Sequence, residues 1–533
     1  MHARTQRQAP HPFAPPATAD GTDSGYAWYV LAVMMLVYMF NYLDRQILAI
    51  LAEDVKKNLA ITDSQLGFLF GTAFGIFYAL FGYPLGRLVD RCRRVPLLAA
   101  GLVMWSLMTS WCGLTRTFGQ LAVARIGVGI GEATGSPCAY SLLSDWFSKA
   151  RRGTALGLYA GGMYIGSGLS LAIGGMIVLR WDGDFAAGHA PFGLAGWQAA
   201  FLAVGLPGTI LALWVSTLRE PRRGMADGID APVETRIFAR FLDDLASVVP
   251  PFTVIQAARG GTDMLVRNLL AAGVAALFGW IAIRLSGDIL QWTAIAIGCY
   301  AVFSSQQALR LRDGPTHALT WGTPAFVLVT IGFASVSLMN ATIGFWVAPL
   351  SLRALGVDKA TTGLILGATA ALGGLLGVVA GGRASDILLR STPAGRLWVG
   401  TAAALIPTPF LIAMCLTRNP WIYYLCDVPV MVIGNAWVGA GAATVQELVL
   451  PRMRGTATAT YLVAITIIGL GLGPYMIGKA STVFGDLGTG LLFVLLAVPV
   501  SLACFLFAGR RLRDAEVTKM ARAIAVGEQS RAA

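Results

Sequence analysis

The chain has 533 residues, of which 56% are hydrophobic and only 13% are charged, whereas about 25% of the residues of a typical soluble domain are charged. This composition argues against a soluble globular protein and indicates a surface that mostly faces lipid. The net charge of +12 does not indicate nucleic-acid binding, because lysine and arginine cluster at the ends of apolar runs, where they set the orientation of membrane helices.

The first half of the chain contains six apolar runs. Residues 1–25 are rich in proline and alanine and are predicted to form a disordered tail. Residues 26–220 are predicted to form an N-terminal six-helix bundle, because each run in it is long enough to cross a bilayer. The predicted helices are 27–52, 64–87, 95–113, 119–147, 153–179 and 197–218.

The remainder of the chain adds a linker, two further runs and a second six-helix bundle. Within residues 221–322, the segment 237–249 has helical apolar spacing and is predicted to lie on the inner membrane surface. Runs 269–285 and 289–308 are predicted to be two extra spans. Residues 323–509 form the C-terminal bundle, and 510–533 a basic tail. The predicted helices of that bundle are 324–348, 363–384, 397–416, 421–449, 455–480 and 487–508.

The prediction is therefore an all-α membrane protein with fourteen spans, arranged as six, two and six. Short loops on the side of both termini carry more lysine and arginine than those on the other side, so that both tails are expected in the cytoplasm. We expect an integral protein of a bacterial inner membrane.

Two charges interrupt the first predicted helix. Asp44 and Arg45 lie about 16 residues, or roughly 24 Å, past its start, and each charge costs about 2.5–3.5 kcal/mol near the centre of a span. Glu132 lies at a similar depth, roughly 18 Å into the fourth predicted helix. We expect Asp44 and Glu132 to carry protons, since a carboxyl group that alternates between dry and wet surroundings changes its proton affinity. The alternative is a static ion pair that locks the two helices together.

Two signatures occur once in each half. Gly86-Arg-Leu-Val-Asp90 matches Gly382-Arg-Ala-Ser-Asp386, and Asp145 with Arg152-Gly-Thr-Ala matches Glu447 with Arg454-Gly-Thr-Ala. Duplicated halves with a site between them are typical of transporters. Asp90 and Asp386 are expected to cap helix amino ends of the opposite half, with Arg91 pairing with Asp145 alongside. We predict that these residues gate the cytoplasmic side: Asp90, Arg91, Asp145, Arg152, Asp386, Glu447 and Arg454. The alternative for the arginines is that they are only topology signals.

Gly86-x-x-x-Asp90-Arg91-x-x-Arg94 resembles the loop signature of the major facilitator superfamily. Asn41-Tyr42-x-Asp44-Arg45, together with Gly129-Ile-Gly131-Glu132-Ala133, is similar to its spinster-like branch. The resemblance implies the two-bundle facilitator fold and the same proton-coupling roles for Asp44 and Glu132. The two extra spans depart from the usual twelve-helix pattern.

Several residues are candidates for substrate binding. Arg45 is expected to hold an anionic group or to neutralise Asp44, and Arg125 either contacts substrate or makes a structural pair. Tyr159 and Trp346 face the cavity or simply pack against neighbouring helices. Asp427 is expected to make a polar contact at the outer end of its helix. The candidate substrate residues are Arg45, Asn41, Tyr42, Arg125, Tyr159 and Trp346.

The resulting hypothesis is a proton-coupled secondary transporter for an anionic or amphipathic organic compound, lysolipid-like or an organic acid. We expect a monomer in the lipid bilayer, with no enzyme activity, cofactor, metal or nucleic-acid partner, because no nucleophile, Walker or metal-ligand pattern is present. The alternative is a non-transporting membrane sensor or scaffold built on a facilitator body.

Overall fold

The computed structural model describes residues 22–186, 188–224, 226 and 237–528. Within these ranges every regular element is a helix. Almost all of the predicted N-terminal tail, most of the segment between residues 224 and 237, and residues 529–533 lie outside the described part of the chain.

The N-terminal half consists of seven helical segments. They are α1 (Gly25–Leu59), α2 (Asp63–Val89), α3 (Arg94–Cys112), α4 (Phe118–Glu132), α5 (Gly135–Trp146), α6 (Lys149–Ala186) and α7 (Gly196–Ser216). Side chains that accept backbone hydrogen bonds start several of them, as Ser24, Thr62 and Thr117 do for α1, α2 and α4. These caps satisfy amide groups that have no partner within the helix. Helices α4 and α5 together form the fourth predicted helix, broken by a turn at Ala133 and Thr134.

The central region forms a linker and a helical hairpin. It contains α8 (Ile237–Ala246), α9 (Phe252–Arg259), α10 (Thr262–Ser286), α11 (Ile289–Arg312) and α12 (Gly314–Leu319). Helix α11 packs into the groove between α2 of the first half and the helix around Gly471 of the second. There, the Thr72 hydroxyl bonds to Gln291 at 2.6 Å, and the Gln291 amide donates to the carbonyl of Gly471 at 3.3 Å. Most of the side chains of α10 are exposed on the outside of the bundle.

The C-terminal half repeats the plan of the first. Its helices are α13 (Pro324–Leu355), α14 (Lys359–Ser391), α15 (Gly395–Leu416), α16 (Pro420–Glu447), α17 (Pro451–Phe484) and α18 (Leu487–Val517), followed by the short α19 (Lys519–Ile524). Helices α14 and α17 each contain a π-helical stretch, Thr369–Gly373 and Ile465–Leu472 respectively.

Twelve of the helices in the described residues are long and apolar enough to cross a membrane. The prediction of fourteen spans is therefore not confirmed. The predicted fourth helix and α11 both form, but neither is apolar enough to be counted as a span. Arg125 and Glu132 lower the hydropathy of the fourth helix. Gln291 and a polar end at residues 304–307 lower the hydropathy of α11. The molecule is an integral membrane protein with two six-helix halves and a hairpin between them.

The two ends of the bundle are named here by the chain termini. The terminal face carries residue 25, residue 517 and the turn at residues 90–93. The distal face carries the loops that follow Leu59, Leu355 and Phe484. Successive helices cross from one face to the other, so that their amino ends alternate between the two faces.

Candidate functional site

The two charges on α1 point in different directions. Arg45 Nη2 lies 2.8 Å from Glu132 Oε2 on α4, and the Glu132 side chain is fully buried. Asp44 is also fully buried; its carboxylate faces the Thr109 hydroxyl, but neither oxygen has a donor in good hydrogen-bond geometry. Successive residues of a helix project about 100° apart, which is why Arg45 pairs with Glu132 rather than with its neighbour. The three residues predicted to work together are thus in one region, with Asp44 unpartnered.

Arg125 completes a cluster of four charges. Its Nη1 donates to the backbone carbonyl of Asp44 at 3.2 Å and its Nε to that of Leu69 at 3.3 Å. The side chain is fully buried, and its Nη2 has no hydrogen-bond partner. We define the charge cluster as Asp44, Arg45, Arg125 and Glu132. Two acids and two bases thus lie together inside the helical bundle, where ionisable groups are costly and mark functional sites.

Aromatic rings line one side of the charge cluster. The Arg45 guanidinium carbon lies 4.3 Å from the ring centre of Phe74, 4.7 Å from that of Tyr42 and 5.3 Å from that of Tyr78. Such contacts attract a cation to the ring faces. Phe74 and Tyr78 were missed from the sequence, where the only signal is their four-residue spacing on one helix face.

A group of tyrosines extends these rings toward the terminal face. Tyr38 stacks on Tyr159 at 4.5 Å and meets Tyr42 edge-on at 5.2 Å. Tyr140 contacts Tyr159 at 5.4 Å. The structure thus brings two predicted substrate residues, Tyr42 and Tyr159, beside the charge cluster and adds two that the sequence did not single out, Tyr38 and Tyr140.

The other candidate substrate residues lie in different places. Asn41 is buried on α1, one turn before Arg45, and its side-chain amide faces Glu132 of the charge cluster. Trp346 on α13 is fully buried, and its indole N–H donates to the carbonyl of Pro474 at 2.9 Å. The structure therefore does not bring Trp346 to the charge cluster: it joins α13 to α17 within the C-terminal half.

At the terminal face Asp145 and Arg91 have different partners in this conformation, and their predicted pairing, expected when that face is shut, stays a prediction. Asp145 is bound by Arg94, whose Nε also contacts Glu220 at 2.9 Å. Arg91 instead donates to Asp244 of the linker helix α8 at 2.6 Å. Arg94 opens α3 and lies directly against α5, whereas Arg91 faces the linker, a segment whose position the sequence pattern does not fix.

The same arrangement is repeated in the second half. Arg396 pairs with Glu447, and these residues are displaced along the chain from Arg94 and Asp145 by the same distance. Each pair joins two helices of its own half. The remaining predicted gating residues differ in exposure: Asp90, Asp386 and Arg454 are exposed, and Arg152 is half-buried.

Ion pairs join the two halves at the distal face. Arg353 of α13 contacts both Glu53 and Asp63 at 2.7 Å. Lys359 of α14 contacts Asp54 at 2.6 Å and Asp182 at 3.0 Å. We call these six side chains the distal seal. The sequence did not reveal it, because its partners lie far apart in the chain.

Glycines let the two halves approach closely beside the distal seal. A Cβ atom on Gly168 of α6 would overlap the carbonyl oxygen of Gly367 of α14, and one on Gly363 would overlap that of Leu171. The turns at the terminal face differ, since a Cβ atom on Gly153 or Gly455 would meet nothing within 4 Å. The halves are therefore joined at the distal face and separate around these terminal turns.

The sequence model of the Major Facilitator Superfamily matches residues 34–474, most of the chain. The chain belongs to the Major Facilitator Superfamily. An MFS-type efflux pump of Mycolicibacterium smegmatis is 26% identical over 502 residues, covering 93% of this chain and 95% of that protein. Protein spinster homolog 1 of Bos taurus is 25% identical over 481 residues, covering 86% and 74% respectively.

Solved structures of the superfamily support the same fold. A bacterial homologue of the human lysosomal transporter Spinster, in an inward-facing and occupied conformation, superposes with a TM-score of 0.69 at 22% identity, covering 92% of this chain and 99% of that one. The similarity to the spinster-like branch is thereby confirmed. A probable L-galactonate transporter of Escherichia coli is 29% identical over 184 residues, which is 34% of this chain and 37% of that protein.

Proposed function

We propose that this member of the Major Facilitator Superfamily is a proton-coupled secondary transporter that moves an anionic or amphipathic organic compound by alternating access. The observation that carries the proposal is the buried charge cluster, in which Arg45 and Glu132 are paired while Asp44 accepts no hydrogen bond. A cluster of this kind inside a membrane is expensive and is retained chiefly for ion or substrate movement.

Asp44 and Glu132 are assigned the proton steps. An ionised carboxylate without a donor is costly in dry surroundings, so Asp44 holds a proton in the conformation described here. When water reaches the cluster, the carboxylate is solvated and the proton leaves. Glu132 takes part through Arg45: an anionic substrate that draws Arg45 away would leave Glu132 without its cation and favour its protonation. This exchange couples proton binding to substrate binding.

The substrate class follows from the donors and rings around the cluster. Arg45 Nε and Arg125 Nη2 are buried without hydrogen-bond partners, so they are available to a carboxylate or phosphate. The neighbouring tyrosines offer ring faces to an apolar segment. Names of relatives point the same way, since they include transporters of galactonate, glucarate and hexuronate as well as spinster proteins.

The orientation is part of the proposal. The basic turns at residues 87–94, 149–152, 383–396 and 452–454 all lie at the terminal face, which places that face in the cytoplasm of a bacterial inner membrane. The conformation is then closed to the outside at the distal seal. Substrate would enter or leave from the cytoplasm between the open turns.

The test is transport by the purified protein in proteoliposomes with an imposed pH gradient and a panel of organic acids and anionic lysolipids. D44N and E132Q should still bind substrate but lose gradient-driven accumulation by at least about tenfold, since each removes a titrating group. D486N is the matched control, because Asp486 caps α18 at the surface and an asparagine can keep that cap. Normal accumulation by both cluster variants would refute the coupling assignment.

A further inference from the structure

A further fully buried carboxyl group, Asp427, lies in the other half of the molecule. Asp427 was expected to make an outer-end polar contact, but it lies seven residues after Pro420 in α16, roughly 10 Å from the start of the helix. Its side chain is fully buried. The charge cluster belongs entirely to α1 and α4, so Asp427 is a separate group with a separate environment.

The environment of Asp427 contains no cation among the described residues. Its Oδ2 is bonded to the hydroxyl of Thr369 on α14, and its Oδ1 has no hydrogen-bond partner. Among the described residues, the titratable group that faces it is Tyr423, which lies on the same helix, and α14 contributes none. The Tyr423 hydroxyl is itself bonded elsewhere, since it donates to the carbonyl of Val347 on α13 at 2.6 Å. The carboxyl group thus has one polar neighbour.

Counting hydrogens shows which group donates. The Thr369 hydroxyl lies 3.0 Å from the backbone carbonyl of Leu366 as well as against Asp427. A hydroxyl has one hydrogen, and a carbonyl can only accept. If Thr369 gives its hydrogen to Leu366, the hydrogen between Thr369 and Asp427 must come from the carboxyl group. A carboxylic acid satisfies both contacts, whereas a carboxylate leaves one of them without a hydrogen.

We propose that Asp427 is a second proton-binding site, located in the C-terminal half and occupied in the conformation that is closed at the distal face. The ligand is a proton, which binds a carboxylate oxygen of Asp427 and bridges it to Thr369. The site does not rest on the proposed transport function, since it depends only on contacts inside α14 and α16.

The same stretch of α14 contacts the opposite half. Thr369 begins the π-helical turn Thr369–Gly373, and two residues earlier Gly367 packs against Gly168 of α6. Thr369 lies two residues further on, about 200° around the helix, so its side chain faces α16 and Asp427 rather than α6. The proton-binding site therefore lies inside the C-terminal half, away from the surface that α14 shares with α6.

The test is infrared difference spectroscopy on the full chain in lipid at neutral pH. D427N should remove one C=O stretching band of a protonated carboxylic acid from the wild-type spectrum, and T369V should move that band without removing it. D486N is the control, because Asp486 is exposed and ionised and its removal should change carboxylate bands only. Loss of carboxylate bands in D427N, with no change in the protonated-acid region, would overturn the proposal.

Exchange into D2O supplies the second measurement and needs no variant at Asp427. The protonated-acid band should shift to lower frequency in D2O, and slowly, because Asp427 is fully buried. T369V also keeps the acid, so that a misfolded D427N would not leave the site undecided. A band that shifts as fast as that of a solvent-exposed acid would contradict a buried proton at this position.

Discussion

The distal and terminal faces of the molecule are held in opposite ways. At the distal face Arg353 and Lys359 of the C-terminal half reach four carboxylates of the N-terminal half, and glycines let the backbones touch. At the terminal face two equivalent pairs, Arg94 with Asp145 and Arg396 with Glu447, each stay within one half.

This difference shows how the fold can move. Contacts between halves must form and break in each cycle, whereas contacts within a half can persist. The contacts at the distal face therefore stabilise the conformation described here relative to one that is open at that face. The contacts at the terminal face instead hold the helices of each half together. The linker adds one more contact there, since Asp244 joins Arg91 of the turn after α2 at 2.6 Å and Arg312 of α11 at 3.6 Å.

The largest expected effect concerns rigidity at the terminal face. R94A leaves Asp145 and Glu220 without their buried cation and should destabilise the protein by about 3–5 kcal/mol. R396A is the matched variant in the other half. Its partner Glu447 has 41% of its side chain exposed, so solvent should limit that loss to about 1 kcal/mol or less. Thermal unfolding in detergent compares the two, and equal losses would contradict the difference in burial.

The next effect concerns the distal seal. R353A removes charged hydrogen bonds to Glu53 and Asp63, each worth about 1.5–3 kcal/mol, and should raise the share of distal-open molecules by at least about a hundredfold, since each 1.4 kcal/mol is a factor of ten. A cysteine at Gln46, whose side chain bridges to Gly344 between the halves, should then react at least about tenfold faster with an impermeant thiol reagent added at the distal side. Unchanged labelling would show that the ion pairs do not hold this face.

The glycine contact gives a smaller effect in the same direction. G168A places a methyl group against Gly367 and should cost the distal-closed state about 1–3 kcal/mol through overpacking. G157A is its control on the same helix, because a Cβ atom there meets nothing within 4 Å. Cysteine labelling at Gln46 should rise in G168A alone. A rise in both variants would indicate a general effect on α6.

The smallest effect is confined to the terminal face and depends on acid pH. Burial would raise the pKa of Asp313, but hydrogen bonds from Arg452 and Thr316 outweigh it and hold that pKa below its ordinary value of 3.8. Hydrogen bonding from Arg452 likewise lowers the pKa of Glu528 below 4.5. A carboxyl group whose pKa is lower in the folded protein stabilises the fold at any pH above its pKa in the unfolded chain. This stabilisation is lost as the pH falls through the pKa of the folded protein.

Residues 519–528 should therefore detach from Arg452 only below about pH 4, while the distal seal stays closed at neutral pH. Hydrogen exchange of α19 at acid and neutral pH measures this, with R452A expected to exchange fast at both. Detachment of α19 at neutral pH in the wild type would contradict the assigned ion pairs.

Helix periodicity and charge placement predicted most of the architecture. Apolar length predicted the helices of both halves, because burial or lipid contact along a whole span leaves a local signal. The count of fourteen spans is not confirmed, since the helices with Arg125 and Glu132 and with Gln291 form without being apolar enough to be counted as spans. The predicted end of the first helix was early: that helix continues to Leu59, where Ala60 adopts a left-handed conformation that stops it.

The candidate site was predicted in part. Asp44 and Glu132 stood out because charges are rare inside spans, but helix geometry alone does not say that Arg45 turns to Glu132 and leaves Asp44 without a partner. Arg353 and Lys359 left no local signal, because residues flanking a loop are commonly charged. Their role depends on how two halves pack, which is a long-range property.

The central claim is that protons on the charge cluster set which face is open. Spin-label distances across each face test it most directly, using exposed positions Asn58 and Arg418 for the distal face and Arg93 and Thr392 for the terminal face. We predict that changing pH moves the two distances in opposite directions in the wild type and moves neither in the D44N/E132Q double variant. Distances that respond equally in both proteins, or that change together at both faces, would contradict the account.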